Sequence, residues 1–366
     1  MIQNNSFKNI IITAGGTGGH LFPASVLAKS LAENSNYQVN IITDKRSFKY
    51  GAWGNSNSKI HSIYGGGIFG KNIFLIVKNL FLLFLGIIQS LILFKKLKPS
   101  IVISFGGYIS LPVLFSAILF KKKIIIHEQN AYIGRANRLF LPFATYFLTT
   151  FKIMYGVKSK YLYKMYHVGL PLREDFLNLR PKFTANSKLI NILFLGGSQG
   201  ANIFSNIIPE SFLLLSKQEQ QHFQVFHQCR EAKIKEVNSL WEKTNVKYEV
   251  STFFNNVAYL MHNSNLIFSR SGSGTINEIL SQGKFAAYIP YKFAIDNHQF
   301  YNATSIAKQT KSLIITEEKL NPKILSEIYR DILYNKIDLE LKEKLSFNAF
   351  TNNSHLLIVN KIKEII

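Results

Sequence analysis

Cysteine is almost missing from this sequence: Cys229 stands alone among 366 residues. One thiol excludes a disulfide scaffold and a cysteine-built zinc site, and it suits a reducing compartment. A signal peptide is not expected either. MIQNNSFKNI is polar, and the first apolar stretch, Ile10 to Thr13, is too short for a signal's hydrophobic region. There is no Asp-x-Asp pair and no His/Cys/Asp cluster at metal-ligand spacing, so the sequence predicts no metal cofactor. Acid is scarce in one half only. Up to Arg173 the chain has 21 Lys and Arg against three carboxylates, Glu33, Asp44 and Glu128, a net +18; the remainder has 22 against 18, a net +4. Compositional drift would not spare one half. The asymmetry therefore points to an anionic partner, either nucleic acid or an anionic membrane surface.

What is present is hydrophobic and regularly spaced. With 366 residues, 47% of them hydrophobic, the chain has material for two cores rather than one. Short apolar runs alternate with helix-like stretches, and strands are expected at 9–14, 38–43, 100–105, 123–128, 145–150, 190–196, 223–228, 248–253, 265–270 and 285–290. Continuous β-branched runs between helices mark strands buried on both faces, as in parallel sheets. The series also restarts. IIITAGGTGG near the N-terminus is echoed by ILFLGGSQG at 192–200, each a strand entering a glycine loop and then a helix. The expected fold is α/β: two doubly wound, Rossmann-like parallel-sheet domains in tandem, joined near Gly169–Pro181.

Residues 73–94, IFLIVKNLFLLFLGIIQSLILF, are long enough to span a bilayer. Spanning would put the strands at 9–14 and 100–105 on opposite sides of a membrane, although both end in glycine turns that look like parts of one site. Lys78, Asn79, Gln89 and Ser90 also interrupt the run. A buried crossover helix and a helix whose outer face dips into a membrane interface remain, and the basic half favours the second.

A glycine loop between a strand and a helix exposes backbone N–H groups and aims the positive helix end at an anion. Three places fit: Gly15–Gly19, Gly196–Gly200 and Ser271–Thr275. The first is not a P-loop, because no Gly-Lys-Ser/Thr follows. It also departs from G-x-G-x-x-G, with Leu21 where the last glycine belongs. Asp44, at the end of the second strand, does resemble a ribose-binding acid and keeps a nicotinamide enzyme open. In SRSGSGTINEI, serine, glycine and threonine offer donors to a diphosphate, and Glu278, one turn into the helix, can accept both hydroxyls of a ribose. The same spacing of Thr275 and Glu278 also fits a capping box. His20 can cap a helix start, or act as a general base that takes a proton from an attacking hydroxyl.

Motifs in one order then cover nearly the whole chain: GGTGGHLFPA (15–24), SFGGYISLP (104–112), HEQNAYIGRANR (127–138), VGLPLR (168–173), LGGSQGA (195–201), STFFNNV (251–257), RSGSGTINEI (270–279) and DNHQFYNA (296–303). In these the chain resembles the MurG glycosyltransferases, peripheral membrane enzymes that add N-acetylglucosamine to undecaprenyl-pyrophosphoryl-muramoyl-pentapeptide (lipid I) to make lipid II. The resemblance implies the GT-B architecture, two Rossmann-like domains facing across a cleft. Residues 1–170 would form the acceptor domain, with 350–366 packing back on it, and 171–349 the donor domain for UDP-N-acetylglucosamine. It also implies that Phe254 presents its backbone to uracil, that Glu278 holds the ribose, and that Ser273, Gly274 and Thr275 approach the diphosphate. Arg173 and Ser198 would contact the nucleotide, and Asn130 and Gln299 the donor sugar. Thr17, Gly18 and Gly19 would line the opposite wall, with Tyr108, Glu128 and His20 towards the acceptor and His20 or Glu128 as base.

The reaction implied is an inverting, metal-independent transfer to the muramoyl C4 hydroxyl, on the cytoplasmic face of the bacterial inner membrane. The family usually shows Asp-Arg-Gln-Gln where this chain has Asp296-Asn297-His298-Gln299, and a leucine at the third loop that is missing before Thr275. UDP-sugar epimerases share the fold but need neither a lipid acceptor nor a basic half. Nucleic acid is not expected as a partner, since no interleaved aromatic and basic motif is present.

Overall fold

The computed structural model describes residues 8–16, 18–49, 53, 58–67, 73–181, 189–197 and 202–366. The chain divides into two compact units, 1–173 with 352–366, and 174–351. In the first, β1 (Lys8–Thr13), β2 (Tyr37–Thr43), β3 (Lys59–Ser62), β4 (Ile101–Ser104), β5 (Lys123–Glu128), β6 (Tyr146–Thr149) and β7 (Met165–His167) form one sheet in the order 3-2-1-4-5-6-7. Every pairing is parallel. Isoleucine runs such as Ile10–Ile12 and Ile124–Ile126 are buried throughout, because helices cover both faces of the sheet. One face packs on the helix Gly18–Ala32 through Leu21, Ala24, Leu27 and Leu31, joined by Ile358 and Ile362 of the C-terminal helix Ser354–Lys363.

The second unit repeats the plan. β8 (Ile190–Leu195), β9 (Phe223–Gln228), β10 (Lys247–Ser251), β11 (Leu266–Ser269), β12 (Phe285–Tyr288) and β13 (Leu313–Ile314) lie in the order 10-9-8-11-12-13, again parallel throughout. Renumbered from its own first strand this is 3-2-1-4-5-6, the doubly wound order. Its core is aromatic. The Phe212 ring stacks on Tyr329 at 4.4 Å and meets Phe223 and Trp241 at 5.6 and 5.3 Å, each such pair adding ~0.5–1.5 kcal/mol beyond burial alone.

All ten expected strands are present, and β3, β7 and β13 are additional. Each of the three ends its sheet, pairs on one side only, and has at most four residues. The helix Ile73–Leu97 corrects one reading and excludes another. Buried as a crossover it is not: only Gly86, Ser90 and Phe94 are buried, while Ile73, Phe74, Val77, Phe81, Phe84 and Ile88 are exposed. Phe84 and Gly86 are two residues apart, about 200° around a helix, so these are opposite faces. A bilayer span is excluded by register, since β1 and β4, which flank the helix in sequence, pair from Ile10↔Ile101 to Thr13↔Ser104. The inner face is pressed tight. A Cβ at Gly86 would lie 2.1 Å from the Tyr64 carbonyl oxygen, and Gln89 Oε1 accepts from the Tyr64 N–H at 2.7 Å.

Candidate functional site

In a doubly wound sheet the strand order reverses beside the first strand, and the loops leaving the strands there part to form a crevice. In the first unit that point lies between β1 and β4. The Gly15–Gly19 loop leaves β1, and Gly106 and Gly107, at φ +87° and +84°, leave β4. The two loops touch: a Cβ on Gly107 would fall 2.4 Å from the Gly15 carbonyl oxygen. His20, in the first turn of Gly18–Ala32, reaches the same place, its Cε1 3.6 Å from where a Gly106 Cβ would stand. Beside it the Arg173 guanidinium lies over the Phe22 ring at 5.3 Å, and that ring packs on Gly18. Gly19 is exposed. Thr17 lies outside the described residues, as does Ser198 in the second unit.

Glu128 closes β5 and is buried. Its Oε1 accepts from the Asn130 N–H at 3.0 Å; its Oε2 accepts from the Gly134 N–H and from Asn137 Nδ2, both at 2.8 Å. The carboxylate thus gathers the loop that carries Asn130, and its lone pairs are directed at that loop. Asp44 is committed in the same way. Oδ1 accepts from the N–H groups of Arg46 and Ser47, and Oδ2 from the hydroxyls of Tyr108 and Ser47. Burial opposes its ionisation, but these bonds outweigh it and hold the carboxyl below its ordinary value. This corrects the ribose reading of Asp44: its oxygens serve the protein, and the nicotinamide alternative loses its acid. Tyr108 is tied between Asp44 and Arg46 Nη2, at 2.7 and 2.6 Å.

The residue that sequence reasoning passed over is Gln129, inside the quoted HEQN motif. It is buried, and its Oε1 stands 2.7 Å from His20 Nδ1. No spacing could reveal this, because 109 residues separate the two.

In the second unit the switch point falls between β8 and β11. Gly196 and Gly197 (φ +79°) leave β8, the first donating its N–H to Gln228 Oε1 at 3.1 Å. β11 runs through Arg270–Gly272 into the helix Ser273–Ser281. The N-cap of that helix is Gly272, and no side chain caps it. The capping-box reading is therefore overturned: Thr275 is the third helical residue, and Glu278 lies in the second turn. Ser273, Gly274 and Thr275 are then the first three helical residues, whose N–H groups have no carbonyl a turn back to bond. Such N–H groups, together with the helix dipole, can seat an anion.

The neighbouring helix His298–Thr310 braces this loop: Ser271 Oγ donates to the Gln299 carbonyl at 2.8 Å, and Asn302 Nδ2 to the Ser271 carbonyl at 3.1 Å. Gln299 Oε1 accepts from the Tyr291 N–H, so its amide nitrogen is the end turned elsewhere. Asp296 and Asn297 both have φ +52°, a conformation that asparagine tolerates better than most residues. Phe254 follows β10 at the same strand-end edge, its ring buried and edge-on to Phe226 at 6.5 Å. Arg270 is engaged internally, paired with Glu317 at 2.6 Å, so its charge is spent within the unit. No group of three or more His, Cys, Asp or Glu able to hold a metal occurs among the described residues.

The N-terminal domain of glycosyltransferase family 28 matches residues 10–149, and the C-terminal domain of that family residues 191–357. The chain is 32% identical over 363 residues to the UDP-N-acetylglucosamine--N-acetylmuramyl-(pentapeptide) pyrophosphoryl-undecaprenol N-acetylglucosamine transferase of Rickettsia canadensis, covering 98% of this chain and 100% of that protein. It is 36% identical over 327 residues to the enzyme of the same name from Bartonella henselae, covering 88% and 84%. Among solved structures, MurG of Acinetobacter baumannii has a TM-score of 0.76 at 24% identity, covering 98% and 99% of the two chains. The UDP-GlcNAc 2-epimerase of Neisseria meningitidis has 0.67 at 14%, covering 97% and 100%. The structural likenesses establish the GT-B fold and no more, since transferase and epimerase share it. Kinship in sequence separates them. The chain belongs to glycosyltransferase family 28, among the UDP-N-acetylglucosamine--N-acetylmuramyl-(pentapeptide) pyrophosphoryl-undecaprenol N-acetylglucosamine transferases.

Proposed function

We propose that this chain transfers N-acetylglucosamine from UDP-N-acetylglucosamine to the C4 hydroxyl of the muramoyl residue of lipid I, giving lipid II with inversion and without a metal ion. The observation that carries the reading is the uncapped N-terminus of Ser273–Ser281 at the switch point, with Glu278 a turn further in. Ser273, Gly274 and Thr275 take the diphosphate, Glu278 the ribose hydroxyls, and the Phe254 main chain the uracil; Arg173 and Ser198 add contacts to the nucleotide. Gln299 and Asn130 meet the sugar. Thr17, Gly18, Gly19 and Tyr108 line the acceptor's pyrophosphate and sugar. His20 removes the proton from O4 as O4 bonds to the anomeric carbon on the face opposite UDP. The bond from that carbon to the β-phosphate oxygen breaks, and the charge released on UDP falls to the helix N-terminus. Glu128, whose oxygens accept from its own loop, holds Asn130 and Asn137 in place.

The test is UDP release from UDP-N-acetylglucosamine in a chelator, with and without lipid I. Release that requires lipid I is expected; interconversion of the UDP-sugar without an acceptor would overturn the reading. Turnover that survives His20→Ala with an unchanged pH profile would overturn the base.

We further infer that the chain works as a peripheral protein on an anionic membrane surface, at the cytoplasmic face of the inner membrane. The exposed stripe of Ile73–Leu97, with Lys78, Lys95 and Lys96 exposed on the same helix, supports this. Cosedimentation with vesicles rich in phosphatidylglycerol is expected at low salt, and its absence would overturn the inference.

A further inference from the structure

We propose that Gln129 is a positioning residue that locks His20 in the tautomer a base requires, with Nδ1 protonated and Nε2 bare. The proposal rests on the reading of His20 as the base, and it follows from a chain of hydrogen bonds that can run in only one direction. The chain starts at the Gly169 carbonyl, which can only accept. His127 Nε2, 3.0 Å away, must therefore carry the proton. His127 is wholly buried, and burial, opposed by the Gly169 bond, pushes it down to about 4, so it is neutral near pH 7. A neutral imidazole with its proton on Nε2 has a lone pair on Nδ1. The Gln129 group 3.2 Å from that lone pair must be the amide nitrogen.

A second bond fixes the same end independently: this nitrogen is 3.1 Å from the His127 carbonyl, another group that only accepts. With its NH2 committed to both, Gln129 turns its carbonyl oxygen to His20, 2.7 Å from Nδ1. His20 must then donate from Nδ1. Among the described residues Nε2 has no partner, and as the ring's other nitrogen it carries the lone pair. A free histidine divides between two tautomers, and only one presents a basic Nε2. Here a neutral amide makes the choice, where a carboxylate does so in a hydrolase triad. The amide gives direction without a counter-charge.

The test is nitrogen NMR on protein labelled with 15N-histidine, at a pH where the imidazoles are neutral. The His20 signals are identified by their loss in His20→Gln. Wild-type His20 is expected as the Nδ1–H tautomer; the Nε2–H tautomer would overturn the proposal, whatever any variant does. In Gln129→Leu, of similar size, a mixed tautomer population is expected. A fall in kcat of about 10- to 100-fold is also expected, within the ~10²–10⁴ that a positioned base supplies, with KM for UDP-N-acetylglucosamine within about twofold. Raised KM with intact kcat, or an unchanged tautomer, would reduce Gln129 to packing and overturn the proposal. Turnover retained in His20→Gln would overturn the base reading instead, while the tautomer measurement still decides the lock.

Discussion

His127 should make the first unit sensitive to acid, by an amount the structure fixes. Its ring is fully buried, tilted against Phe105 with centroids 4.9 Å apart, and bonded to Gly169 and Gln129. Burial, with the nearby His20 and His167, lowers it from 6.5 to about 4. In the unfolded chain His127 takes up a proton as the pH falls through 6.5; in the folded chain it refuses one until about 4. Across that window the unfolded state binds more protons, so stability falls as the pH falls, and above pH 7 there is no effect. At ~1.4 kcal/mol per tenfold difference in protonation, the loss between pH 7 and 4 is about 3 kcal/mol, or a Tm decrease of about 6–12 °C for a unit of this size. Carboxylates titrate mostly below this window. The assay is urea unfolding at fixed ionic strength from pH 8 to 4, comparing wild type with His127→Gln, which keeps a donor for the Gly169 carbonyl. His61, His167 and the buried His227, also lowered, are common to both proteins and cancel in the difference. That difference should shrink by about 3 kcal/mol on going from pH 7 to 4. A difference that stays flat across the window would refute the reasoning.

Gly107→Ala should disturb the first site out of proportion to its size. A left-handed φ of +84° costs a side chain ~1–2 kcal/mol, and the new Cβ meets the Gly15 carbonyl at 2.4 Å, so the loop ahead of His20 must shift. At least a tenfold loss of kcat in a protein of native circular dichroism is expected. Glu278→Gln should weaken UDP binding about tenfold in titration calorimetry, because a neutral acceptor replaces a charged one towards the ribose hydroxyls, a difference on the order of 1–1.5 kcal/mol; unchanged affinity would remove Glu278 from the site. Glu343→Gln should lower stability by about 3–5 kcal/mol, since it takes the carboxylate charge away from the fully buried Lys284 ammonium 3.8 Å away. The double variant with Lys284→Met should recover most of that loss in thermal unfolding.

The elements legible in the sequence were those whose burial leaves a compositional trace. β5 reads as KIIIHE because it has neighbours on both sides and helices above and below. β13 is two residues at a sheet edge and needs no such run. Spacing misled where backbone direction decided the outcome. Thr275 and Glu278 are three apart, as in a capping box, yet the chain enters the helix at Gly272. Likewise the hydrophobicity of 73–94 permits a span, a buried helix or an interfacial one. The pairing of β1 with β4 removes the first and the exposure of Phe74 and Phe84 the second, and neither fact is local to the segment. Gln129 was illegible for the same reason, since its meaning lies in a histidine brought to it by the β1–β4–β5 order.

The two units thus share a topological switch point but furnish it differently. Each sheet has its crevice beside its own first strand, so each unit inherits loops that could seat an anion. In the first unit nearly every polar group there is already answered from within: Asp44 by Tyr108, Ser47 and Arg46, Glu128 by its loop, Gln129 by His127. Among the described residues, His20 Nε2 has no partner. In the second unit the loop is braced from behind by Gln299 and Asn302, and the helix start is left without a side-chain cap. A site whose residues satisfy one another is rigid and suits placing a single proton acceptor. A site whose helix dipole is left unanswered can accept an anionic ligand. Moving the third loop into the first unit would therefore bring no histidine for Gln129 to hold.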